Sequence, residues 1–94
     1  MAQRIKSFKF HRKFKKNYRK RIVPHPSLVK KFEERFKLFL VDSSNPSLRD
    51  HKLSGELKGY RSFSVTGDIR VLYQETAPGN VEIYDIGSHN QIYE

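Results

Sequence analysis

The spacing of apolar and polar positions changes twice along the chain. Residues 3–9 alternate poorly and read as a short strand. From Phe10 an apolar residue returns every fourth position, at Phe14, Tyr18 and Ile22. That spacing puts one stripe on a helix. Arg12, Lys13, Lys15, Lys16, Arg19, Lys20 and Arg21 fill its other faces. Pro24-His25-Pro26 interrupts the pattern. Pro26 suits the first turn of a second helix, where its missing N–H costs nothing. Over residues 26–41, Leu28, Val29, Phe32, Phe36, Phe39 and Leu40 share one side; Lys30, Glu33, Glu34 and Lys37 share the other. The turn formers of residues 42–46 end that helix.

Beyond residue 56 the period is two. Leu57, Gly59, Arg61, Phe63 and Val65 alternate with Lys58, Tyr60, Ser62 and Ser64. Thr66-Gly67 marks a turn, and Ile69, Val71 and Tyr73 then alternate with Arg70, Leu72 and Gln74. Ala77-Pro78-Gly79-Asn80 is a second turn, residues 81–86 are a third strand, and residues 87–94 read as an irregular tail. The predicted order is β-α-α-β-β-β: one α+β domain over residues 1–94, two helices packed on one face of an antiparallel meander. The other face is left free to carry function.

Charge sharpens this picture. The net charge is +9, and it is one-sided. Residues 1–40 hold 14 Lys/Arg against 2 acids, and residues 41–94 hold 5 against 8. Like charges four residues apart destabilise a free helix, so the first helix calls for a polyanionic partner, nucleic acid or an acidic protein. It lacks the apolar face that a membrane-surface helix needs, and no apolar run approaches the ~20 residues of a membrane span. The chain has no cysteine, which excludes disulfides, thiolate metal sites and a Cys nucleophile. A soluble cytoplasmic protein without cofactor is expected.

The residues around 50–61 are not explained as packing. They bring His51, Lys52, Gly55, Lys58, Gly59, Tyr60 and Arg61 together where the helical pattern gives way to a strand. Further polar candidates are Asp68 and Arg70 at the next strand, and His89 and Tyr93 after the last one. The histidines lack metal-ligand spacing, and the glycines do not open a phosphate-binding helix. RNA carries its own nucleophile, the 2′-hydroxyl. Cleaving it without metal needs a base, an acid and cations for the phosphorane. His, Asp, Arg and Lys are the residue types for that task. Many small proteins hold them, so the residues alone leave binding without cleavage open.

The run from Leu48 to Arg61, with Asp68-Ile-Arg70 and Gly87-Ser-His89, resembles the RelE/ParE superfamily of bacterial toxins, and within it the YafQ-type mRNA interferases. The resemblance implies a curved sheet, a ribosome-dependent endoribonuclease cutting mRNA in the A site, and an antitoxin with an acidic toxin-binding segment. It also implies that operator DNA is reached only through the antitoxin. Position by position, it implies catalytic roles for His51, Asp68 and His89, with Tyr93 where the family has phenylalanine. His51 and His89 are the acid and base in either order; Asp68 orients a histidine or is itself the base. Arg70 matches an arginine that RelE-like toxins use near the scissile phosphate. Arg61, Lys52 and Lys58 are expected phosphate contacts. A further family histidine falls at Ser64. Rival readings are a ParE-like gyrase inhibitor, a member of the fold that binds RNA or antitoxin without cutting, and a basic ribosome-associated protein.

Overall fold

The helix with the densest run of cations is held at both ends and along one stripe. The computed structural model describes residues 4–93. A first strand, β1 (Ser7–Phe10), leads into α1 (Arg12–Arg21). His11 caps α1: its Nδ1 accepts from the Lys13 backbone N–H at 3.0 Å. Arg19, Lys20 and Arg21 occupy the last turn, where the helix dipole favours cations. Phe14 and Ile22 bury the stripe. The opposing anchor is Asp85, whose buried carboxylate accepts from Asn17 Nδ2 at 2.7 Å. Lys13 and Arg21 lie 3.8 and 3.5 Å from the same carboxylate.

The second helix, α2 (Pro26–Val41), has the expected bounds, with Pro26 in its first turn and Phe32, Phe36 and Phe39 buried. The remaining strands are β2 (His51–Lys52), β3 (Arg61–Ser64), β4 (Ile69–Ala77) and β5 (Asn80–Ser88); α3 (His89–Tyr93) follows. Single 3-10 turns occupy Pro46–Leu48 and Gly55–Leu57. The second turn shortens the first meander strand that periodicity had extended back to residue 57. It is bracketed by Gly55 and Gly59 at φ 67° and 97°, a left-handed conformation that glycine adopts without strain.

One sheet runs in the order β1-β5-β4-β3-β2. The meander is antiparallel as expected. β1, however, pairs with β5 in parallel, so the sheet is mixed. The whole meander and both helices separate those two strands, a connection long enough to return the chain in the same direction. Where β1 stops, α1 continues along the β5 edge: His11 N–H donates to the Ile83 carbonyl at 2.8 Å, and Arg21 Nη1 to that of Ile86 at 2.9 Å.

The core lies between the helices and one face of the sheet. Phe39 is fully buried and stacks on Phe63 at 4.4 Å, with Tyr73 edge-on at 4.8 Å. A β-bulge shapes the outer part of β5. Tyr73 pairs with Ile83 but Leu72 pairs with Asp85, which leaves Tyr84 as the extra residue. Ile83 and Ile86 therefore both reach the core. Tyr84 contacts Tyr60 and His11 instead.

Candidate functional site

The site begins with a short turn. Asn45 Oδ1 accepts from the Ser47 N–H at 2.9 Å, Pro46 sets the first residue, and Leu48 plugs into the core. Arg35 of α2 clamps this turn, reaching the Ser47 carbonyl and, through Nε at 3.2 Å, the Ser64 carbonyl. The turn ends at Arg49 with φ 52° and ψ 40°. A left-handed conformation costs a non-glycine residue about 1–2 kcal/mol. Its effect is to aim the Arg49 carbonyl at the open face of the sheet.

Two side chains meet that carbonyl. His51 Nδ1 lies 2.9 Å from it, and Arg70 Nη2 donates to it at 3.4 Å. A carbonyl only accepts, so this shorter contact calls for the tautomer with the proton on Nδ1, in which Arg70 Nη2, 3.5 Å from the same nitrogen, is a neighbouring cation and not a donor to it. In that tautomer Nε2 is the ring's acceptor nitrogen. Arg70 also donates from Nε to Ser62 Oγ at 3.3 Å, and Ser62 Oγ lies 3.1 Å from the Tyr93 hydroxyl. His51 and Ser62 are cross-strand partners on β2 and β3. The Tyr93 ring packs against His89 at 4.4 Å between centroids.

α3 brings those last two residues in. Ser88 and Gln91 form a reciprocal cap: the Ser88 N–H donates to Gln91 Oε1 at 2.7 Å, and the Gln91 N–H to Ser88 Oγ at 3.2 Å. Ile92 is buried beneath. Gly87 leaves room for this arrangement: a Cβ there would lie 2.7 Å from Arg21 Nη1 and 2.8 Å from Gln91 Oε1, so both side-chain ends would have to move. His51, Lys52, Leu53, Arg70, His89 and Tyr93 thus line one shallow recess of about 470 Å³.

Three expected residues lie elsewhere. Arg61 belongs to the other face: its Nε donates to Asp50 Oδ1 at 2.7 Å, and Asp50 also accepts from the Tyr73 hydroxyl. Burial first, then the Asp50 carboxylate, push the Tyr73 phenol well above its usual range, against the opposing pull of Arg61. Burial acts to lower the Arg61 pKa, but the Asp50 hydrogen bond and charge outweigh it and the net shift is upward. Arg61 is therefore committed to a structural ion pair. Asp68 sits on the exposed bend before β4 and lines a separate recess with Lys20, Arg21, His25 and Gln91. Alternation fails to place it beside Arg70 because the strand begins only at Ile69. Lys58 is exposed at the end of the Gly55–Leu57 turn and does not line the recess. Ser64, where the family histidine was expected, is buried and pairs with Arg70 across the strands.

The arrangement offers an acceptor imidazole nitrogen, a second imidazole on α3, and a guanidinium held from two sides. Among the described residues no group of three His, Asp or Glu side chains could hold a metal ion, and no helix is long and apolar enough to cross a membrane.

Comparison with known proteins gives a consistent relationship. A family profile described as a bacterial toxin of type II toxin-antitoxin system, YafQ, matches residues 6–94. No curated protein sequence matches. Among solved structures, YafQ from E. coli is similar with a TM-score of 0.79 at 19% identity, covering 93% of this chain and 97% of that one. YafQ in the E. coli DinJ-YafQ complex gives 0.75 at 20% identity, over 93% and 97% of the two chains. A YoeB/ParE toxin from Agrobacterium tumefaciens gives 0.68 at 17% identity, over 88% and 98%.

Proposed function

This chain belongs to the YafQ family of toxins of bacterial type II toxin–antitoxin systems, and we propose that it is a ribosome-dependent endoribonuclease that cuts mRNA in the A site. The observation that carries this reading is the Arg49 carbonyl, which holds His51 Nδ1–H and Arg70 together and leaves His51 Nε2 as the ring's acceptor nitrogen. In the proposed reaction Nε2 takes the proton of a ribose 2′-hydroxyl. The 2′-oxygen attacks the adjacent phosphorus and closes a 2′,3′-cyclic phosphate. The bond from phosphorus to the 5′-oxygen breaks, and that oxygen receives a proton from the His89 imidazolium. Arg70, pre-aligned by Ser62 and the Arg49 carbonyl, faces the charge on the non-bridging oxygens; Lys52 adds a second cation at the rim. Tyr93 positions the His89 ring and is the surface on which a base could stack. Arg61, Lys58 and Asp68 are assigned no step.

The ribosome would supply the mRNA in an ordered single-stranded form, which places the activity in the cytoplasm. The partner that restrains it would be an antitoxin with an acidic toxin-binding segment, matched to the cations of α1; operator DNA would be reached through that antitoxin. Programmed ribosomes incubated with the purified protein, followed by primer extension, test the reading. New mRNA ends at A-site codons, lost in His51→Ala and His89→Ala, are expected. Intact mRNA together with inhibited gyrase supercoiling would replace this function with gyrase inhibition.

A further inference from the structure

A row of aromatic rings crosses the open face of the sheet beside the recess. His11 and Tyr84 lie 4.6 Å apart between centroids, and Tyr84 and Tyr60 lie 5.3 Å apart. Lys13 Nζ sits 5.1 Å over the Tyr84 ring. None of the three rings belongs to the hydrophobic core, and each remains partly exposed. The β5 bulge is what turns Tyr84 outward.

The row is continuous with the recess. Tyr60 and Ser62 are two residues apart on one strand line, hence on one face and about 7 Å from each other. Leu53 lines the recess, and its N–H donates to the Tyr60 carbonyl at 3.0 Å. Cations follow the same course. Lys13 and Lys20 are seven residues apart on α1, so they share a face over roughly 10 Å of helix. Lys13 stands at the aromatic row and Lys20 beside Ser88, next to α3.

Partly exposed rings in series, flanked by ammonium groups, have a specific chemical match. Unpaired bases stack on aromatic faces regardless of sequence, while cations hold the backbone. We propose that Tyr60, Tyr84 and His11 form a stacking platform for bases of single-stranded RNA, with Lys13 as its phosphate contact. The platform takes nucleotides next to the one held at His51 and Arg70, and it rests on the RNA reading above for its substrate class.

The test uses a fluorescein-labelled 2′-O-methyl RNA hexamer, which has no free 2′-hydroxyl and cannot be cut. Binding is therefore read whether or not the protein is a nuclease. Anisotropy titrations should show Tyr60→Leu and Tyr84→Leu binding about tenfold more weakly than the parent, with Tyr84→Phe unchanged. An abasic strand of the same length should bind the unmodified protein as weakly as the leucine variants bind the hexamer. The chain has no tryptophan, so unlabelled hexamer should also quench its tyrosine emission. Equal affinity of the unmodified protein for abasic and normal strands would overturn the platform. So would leucine variants that keep RNA affinity but lose an acidic peptide, which would make the row a protein-docking face. The abasic comparison needs no variant, so it stands even if a leucine variant fails to fold.

Discussion

Asp50 and His51 are neighbours in sequence and serve opposite faces of the sheet. The Asp50 carboxylate bonds Arg61 and Tyr73 on the side of the helices. The His51 ring turns to the open face, where Arg70 and the Arg49 carbonyl meet it. The peptide between Arg49 and His51 is thus fixed from behind by a pair that never touches the recess. Asp50→Asn should loosen that peptide. Leaving the Arg61 and Tyr73 donors poorly matched should cost about 1–3 kcal/mol, read by urea unfolding. Single-turnover cleavage should fall about tenfold with little change in KM, because the loss lies in how His51 is aimed.

Arg70 engages two acceptors at once, Ser62 Oγ and the Arg49 carbonyl. A lysine keeps the charge but not the planar fork. Arg70→Lys should therefore lower the cleavage rate by roughly 10²–10³, while thermal melting stays near that of the parent. A rate within twofold of the parent would show that charge alone suffices.

Tyr73 gives a pH signature on the alkaline side. Its folded pKa is raised, so the unfolded chain loses the phenolic proton first. The contribution is complete below the unfolded pKa of about 10 and declines as pH rises above it. Denaturant midpoints should fall between pH 9.5 and about 11 in the parent. Tyr73→Phe, lacking the titrating group, should show a flatter profile over that window.

Phe39 holds the helices to the sheet through Phe63 and Tyr73. Truncating a fully buried phenylalanine costs about 3–5 kcal/mol, a large share of the stability of a domain this size. Phe39→Ala should be mostly unfolded at 37 °C by circular dichroism, whereas the exposed Val41→Ala should melt near the parent.

Long-period features were legible in the sequence and contact-dependent ones were not. The apolar run and flanking prolines delimit α2 at residues 26–41, and period-two alternation marks β4 and β5. The parallel β1–β5 pairing left no local trace, because it depends on where the chain goes between the two strands. The last helix is too short for periodicity, yet Ser88 and Gln91 carry a readable capping signature three residues apart. His51, Arg70, His89 and Tyr93 were identifiable as residue types, and the fold brings them to one recess. The commitment of Arg61 to Asp50 was hidden, since nothing in the spacing of residues 50 and 61 reveals a cross-strand ion pair. Asp85 escaped notice for the same reason: only the docking of α1 makes it a buried anchor.

In the proposed reaction a 2′-hydroxyl, deprotonated at His51, is the nucleophile. Ribosomes programmed by mRNA carrying one 2′-deoxynucleotide at the A-site cleavage position test that step. The all-ribose message should be cleaved, with a 2′,3′-cyclic phosphate detected by mass spectrometry on the upstream fragment, and the deoxy-substituted one should stay intact. Equal cleavage of both messages would rule out the 2′-hydroxyl as nucleophile.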